Sequence, residues 1–385
     1  MMKKVLVDAV HLLSPKTGIG KYTFENCIRM QNLASEKIQW YYNYGYIREQ
    51  LIDVDNKETP DNKHRKIQRL KNLLTKSSLI KSAVKTLIDF CHRFSSVNYA
   101  LYWQPNIIPG SVRAKKVVTT IHDLSFLVHP DWHPLERQKY MTDRIFEGIK
   151  RSDKIITGSY FIKEEIMKYA VCDSDKIAVI YHGIDHQTFR LYPQDELKDF
   201  KQLYYLPDRY LLFVGSIEPR KNLLRLLQAY KRYVESNQKA LEMILVGFKG
   251  WQNDEIMQMI HSLSGKVRYL GYLNDQELAY VYNLATVFIY PSLYEGFGIP
   301  PLEAMACGTP VITSNATSIP EICGEAAVYI DPNDEIDIQQ KIELLATRED
   351  MRNDFIQRGL KRSQGFTWEA SARKHLGLFE ELMSG

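Results

Sequence analysis

Two glutamates, Glu295 and Glu303, stand eight residues apart in the stretch YPSLYEGFGIPPLEAMACGTP, Tyr290 to Pro310. Their surroundings decide what they can do. An apolar run, Ala285 to Tyr290, has the composition of a buried strand, and Pro291 stops it. Gly296 and Gly298 allow a tight loop and let a ligand approach the backbone. Pro300 and Pro301 suit a first helical turn, so Leu302 to Cys307 is expected to be helix with Gly308 as its stop. Such a strand–loop–helix junction offers free N–H groups and a helix dipole to an anion. Carboxylates there would repel a bare phosphate, so the two glutamates read as acceptors for hydroxyl groups. The ligand implied carries phosphate and sugar together, against Gly296, Phe297, Gly298, Ile299, Leu302 and Glu303. The blander alternative makes Glu303 a dipole partner and Glu295 a solvated loop charge.

Three further clusters fit an anionic ligand. Arg220 and Lys221 lie just before an expected helix from Leu223, where cations oppose the dipole unless an anion is bound. Arg grips phosphate oxygens in bidentate fashion, and Lys serves as a point charge. Gly18 and Gly20 follow the short strand Val5–Asp8 and precede a helix to about Leu33. They read as a phosphate cradle or as a plain structural turn; Thr23 in place of a third glycine breaks the dinucleotide pattern, and Tyr22 after Lys21 breaks the Walker pattern. His122-Asp123 directly follows the strand Lys116–Ile121, at the end that faces the crevice of an α/β sheet. His129, Trp132 and His133 come next, without the carboxylate or cysteine spacing of a metal site. The triplets Asp53–Asp55 and Asp173–Asp175 sit in polar stretches and read as solvated charge.

The string EGFGIPPLEA, with glutamates at 295 and 303, resembles the E-x7-E motif of retaining GT-B glycosyltransferases. It is similar in particular to the "group 1", family 4 type, including bacterial mannosyltransferases of O-antigen, capsule and exopolysaccharide assembly. The similarity runs over almost the whole chain and is weakest from about Arg48 to Phe94. It implies two Rossmann-like domains facing across a cleft, and a nucleotide-sugar donor with no metal or other cofactor. It also implies Glu295, Lys221, Arg220 and His122 as the catalytic group. Glu303 would take the ribose, His122 the transferred sugar, and the Gly18–Gly20 loop the diphosphate from across the cleft. Lys221 matches the second member of the family's basic pair. Ser216 stands where many members carry the first Arg, and Arg220 would substitute for it. The loop Tyr269–Leu273 would line the base pocket, with the base left open. The activity implied is transfer of a hexosyl unit with retention, mannose from GDP-mannose being the leading donor, to a lipid-linked surface polysaccharide. The alternatives are a UDP- or dTDP-sugar donor, or a silent nucleotide-sugar-binding or membrane-docking subunit. No carboxylate stands out as a second acid/base, so the two-carboxylate scheme of hydrolases has no support.

These residues need a scaffold, and the rest of the chain describes one. With 385 residues and 45% apolar content it can build two cores. Strand-like and helix-like stretches alternate, which points to parallel sheets covered on both faces. Expected divisions are 1–185, a connector 186–209, a second domain 210–365, and a last helix 366–385 crossing back to the first. Val311–Thr313, a Ser/Asn loop and Ser318–Ile322 are expected to continue that alternation. A net charge of +4 gives no support to nucleic-acid coating, and five scattered cysteines suit reduced thiols. No membrane-length apolar run occurs, so the expected location is cytoplasmic or peripheral. Between Lys63 and Arg93 stand nine Lys or Arg residues and one acid, with apolar residues at helical spacing. That segment reads either as an ordinary helical layer or as a peripheral contact with anionic membrane.

Overall fold

The structure, a computed structural model, describes residues 2–13, 18–34, 36–52, 98–107, 110, 112–248, 250 and 254–384, with only the backbone at 137. The basic segment 63–93 and the Asp53–Asp55 triplet lie outside the described residues.

Runs of β-branched, leucine and aromatic residues make two sheets. The first has the order β3-β2-β1-β4-β5-β6-β7, built from Ile47–Arg48, Ile38–Asn43, Lys3–Asp8, Tyr99–Gln104, Ala114–Ile121, Lys154–Thr157 and Ile177–Val179. All its neighbours are parallel except β2 and β3, where the chain turns back after Gly45. The second has the order β10-β9-β8-β11-β12-β13. Its strands are Val267–Gly271, Glu242–Val246, Tyr210–Val214, Val287–Tyr290, Val311–Ser314 and Ala327–Ile330, all parallel. Parallel strands buried on both faces carry near-continuous apolar runs, and β8 (YLLFV) is buried at every position.

Each sheet reverses its winding once, at β1/β4 in the first and at β8/β11 in the second. A crevice opens beyond the carboxyl ends of the strands at such a point. The loops leaving β8 and β11 carry Arg220-Lys221 and Glu295, so topology alone brings those residues together. Asn222 locks the two loops, donating from Nδ2 to the carbonyls of Pro291 (3.1 Å) and Pro332 (2.6 Å).

The last helix, Trp368–Ser384, belongs to the first sheet. Trp368, Ala372, Leu376 and Phe379 are buried in one cluster with Val5, Trp40, Leu101 and Trp103. Its apolar positions at 368, 372, 376 and 379 make one stripe, as a helical period requires.

Two expectations need correction. Gly18 and Gly20 form no loop before a helix, because the helix Gly18–Leu33 starts at Gly18 itself. The alternation expected past Val311 holds: the helical turn Ile319–Cys323, whose first turn Pro320 suits, leads to the strand β13. The connector 186–209 contains the helix Gln194–Leu203, whose Leu197 and Phe200 are buried. Among the described residues no helix is long and apolar enough to cross a membrane.

Phe379 is fully buried and stacks at a tilt 5.6 Å from Trp103. Phe379→Ala should therefore cost about 3–5 kcal/mol. In urea unfolding with hydrogen exchange, protection should fall first in β1 and β4. Loss confined to the C-terminal helix would show that this helix is not part of the first core.

Candidate active site

The stretch after β11 folds as the spacing predicts in outline, with a helix that begins earlier, at Ile299, and runs to Ala306. Gly298 caps it with φ +108, a conformation that side chains rarely adopt. Gly296 serves a different purpose from the one its sequence suggests. A methyl group there would lie 1.9 Å from the His122 carbonyl oxygen, so it admits the backbone of the first domain.

Glu295 is buried and ionised. Its Oε1 accepts from Lys221 Nζ at 2.7 Å and from the Tyr290 hydroxyl at 2.8 Å, and Lys221 also donates to Tyr290 at 2.5 Å. Its Oε2 lies 2.8 Å from Arg220 Nη1. Arg220 also meets the Tyr294 carbonyl and Glu218, each at 2.9 Å. Burial pushes the Glu295 carboxyl up, but Arg220 and Lys221 outweigh it and hold it at about 2. Lys221 is itself lowered by burial and by Arg220, against the pull of Glu295. The reading of Glu295 as a solvated loop charge is thus overturned, and the anion beside the basic pair is in the first place Glu295. Lys221 has three N–H groups and spends two of them on Tyr290 and Glu295, which leaves a donor for a ligand.

Glu303 is also buried, in the first turns of its helix. Its environment acts in the opposite direction. Burial pushes its carboxyl up to about 7, with Lys21 opposing and Asp275 and Asp185 adding to the rise. The two glutamates therefore differ in charge response although one loop and one short helix carry both.

A cavity of about 400 Å³ connects them. Its walls include Gly18, His122, Arg220, Lys221, Glu295, Gly296, Phe297, Gly298, Ile299 and Glu303, which unites ten of the twelve expected residues. Gly20 and Leu302 are placed elsewhere. Gly20 is buried inside the first helix near the His11 carbonyl, and Leu302 is fully buried in the second core. Leu302 turns to the side of the helix that packs on the core. Phe297 serves mainly as an interdomain plug, with its ring 4.6 Å from His182 and 5.9 Å from Phe366. His122 is buried, bonded through Nε2 to the Pro105 carbonyl at 2.9 Å, and lowered in pKa by that burial. Asp123 accepts from Ser125 N and Oγ, as a loop-orienting residue would.

Sequence reasoning missed Lys21, Tyr290, Asp275 and Phe248, all on the cavity wall, which Tyr272 of the loop Tyr269–Leu273 also lines. Phe248 and Tyr272 stack with rings 5.3 Å apart at the ends of β9 and β10. The position of each just beyond a parallel strand, or beside a helix start, was the available signal.

Comparison with known proteins bears on the family and the fold. The family model "Glycosyl transferases group 1" matches residues 194–362, and "Glycosyltransferase Family 4" matches 53–188. The O-antigen chain mannosyltransferase B of Escherichia coli is 32% identical over 385 residues, 98% of this chain and 100% of its own length. The serotype-specific mannosyltransferase WbdA of Escherichia coli is 31% identical over 284 residues, covering 72% of this chain and only 35% of its own. Anabaena HepE, solved with UDP and glucose, superposes with a TM-score of 0.69 at 14% identity, over 98% of this chain and 100% of its own, a likeness of fold.

Contacts between the domains should yield to one atom. Tyr160 and Phe161 donate their N–H groups to Glu321 at 2.9 and 3.1 Å, the first domain bonding the second. Gly296→Ala should loosen that contact, so both amides should exchange at least about tenfold faster while β8 and β11 stay protected. Unchanged exchange at 160 and 161 would show that Gly296 does not set the approach of the domains.

Proposed function

The chain belongs to the group 1 glycosyltransferases, and from that premise we propose that it transfers a hexosyl unit with retention of anomeric configuration. Mannose from GDP-mannose is the leading donor, and the acceptor is a growing, lipid-linked surface polysaccharide. That both Escherichia coli relatives are named as mannosyltransferases, one of the O-antigen chain, supports the sugar and the pathway class. The observation that carries the reading is the pairing of Glu295 with Arg220 and Lys221 in the same cavity as Glu303.

In this proposal the diphosphate lies against Arg220, Lys221 and the N-terminus of the helix Ile299–Ala306. The bond from the anomeric carbon to the phosphate oxygen breaks, and the acceptor oxygen bonds on the same face. The acceptor proton passes to the departing phosphate oxygen. Fixed charges aimed at the leaving group stabilise it as it forms, without reorganisation at the moment of reaction. Glu295, ionised throughout, aligns the sugar hydroxyls and offsets positive charge at the anomeric carbon. Glu303 accepts from the ribose. Since Arg220 and Lys221 neutralise the diphosphate, turnover should survive EDTA.

Lys221→Ala separates phosphate from nucleoside recognition. In calorimetry it should weaken GDP binding at least about tenfold, the worth of one charge-assisted hydrogen bond, and leave guanosine binding nearly unchanged. Equal losses for both ligands would remove Lys221 from the phosphate site. Glu295→Gln should lower turnover of GDP-mannose about 100-fold or more. It should also cost about 3–5 kcal/mol of stability, because buried Lys221 loses its carboxylate partner. Near-normal turnover in the folded variant would contradict its role.

A further inference from the structure

Lys21 is the one cation among the described residues that reaches from the first domain to Glu303. It sits on the helix Gly18–Leu33 and is largely buried. Its ammonium bonds Asp275 at 2.8 Å, lies over the Phe189 ring at 4.8 Å, and stands 3.8 Å from Glu303 Oε1. The last distance is beyond direct hydrogen-bond reach, so the charge acts on Glu303 without occupying its lone pairs. At that separation a buried ion pair interacts strongly. We propose that Lys21 is a positioning residue for the donor: anchored on Asp275, it is the countercharge that lets buried Glu303 receive the hydroxyls of the nucleoside. This rests on the reading of Glu303 as the ribose acceptor.

The groups around Glu303 define what the ammonium must do. Asp275 and Tyr282 face it from the helix Asp275–Leu284, Asp185 from the end of the first domain, and Cys307 from the end of its own helix. Two of these are acids and two are neutral, so every charge near Glu303 except Lys21 favours the protonated form. With Lys21 present, burial and the two acids still bring the carboxyl up to about 7. Without Lys21 it would rise further. A protonated Glu303 no longer offers two acceptor oxygens. The bridge also joins the two domains, so the ribose site is complete only when they meet.

The test is calorimetry of GDP binding by the full chain between about pH 6.5 and 8.5, the span around the Glu303 value. Wild-type affinity should rise with pH through about 7 as Glu303 ionises. Lys21→Met should move that rise upward by at least a unit, so that binding at pH 7 is about fivefold weaker and most of the loss returns by pH 8.5. Lys21→Gln should follow Lys21→Met, and Lys21→Arg should keep the wild-type profile. Uniform weakening of both uncharged variants at every pH, or no change, would overturn the proposal. Glu303→Gln should bind weakly with a flat profile. Wild-type binding by Glu303→Gln would refute the ribose reading itself, which separates the two failures.

Discussion

The site depends on a buried carboxylate that is kept charged. Removing Glu295 from water is unfavourable by several kcal/mol, and Arg220 and Lys221 at 2.8 and 2.7 Å supply the charges that offset it. The three side chains come from two loops that leave neighbouring strands, so their mutual attraction fixes the loops against each other. Tyr290 adds a hydroxyl that bonds both Lys221 and Glu295. Once that geometry is set, the helix after Gly298 has a fixed origin, and with it Glu303. A carboxylate near 2 and another near 7 then lie in one cavity, the first permanently charged and the second responsive to its neighbours.

The same loop joins the domains. Tyr294, beside Glu295, donates its hydroxyl to Glu165 and accepts the Leu124 N–H at 3.1 Å, both in the first domain. Gly296 touches the His122 carbonyl, Ser159 Oγ donates to the Gly296 carbonyl at 2.8 Å, and Phe297 fills the space beside His182. Charge chemistry and domain contact therefore occupy consecutive residues, 294 to 297. A shift of one domain against the other must move Glu295.

Much of this was legible in the sequence because it rests on local rules. Alternating apolar runs gave the parallel sheets, and Gly298 with two prolines gave the helix start after β11. Charge type and spacing marked Arg220, Lys221, Glu295 and Glu303. What escaped was set by tertiary contact. Gly296 reads as a place for a ligand, yet a carbonyl from residue 122 occupies it, a pairing 174 positions apart in the chain that no local pattern encodes. Leu302 sits inside the motif but faces the core, where the packing of its helix puts it. Lys21 carries an ordinary surface charge in the sequence, and only the meeting of the two domains brings it to Asp275 and Glu303.

The most direct measurement is a crystal structure of the full protein with GDP-mannose. The diphosphate should lie within about 3 Å of donors from Arg220 and Lys221, with the ribose on Glu303 and the hexose hydroxyls facing Glu295. A donor bound with its diphosphate away from Arg220 and Lys221, and Glu295 turned from the sugar, would contradict the central role of this buried charge cluster.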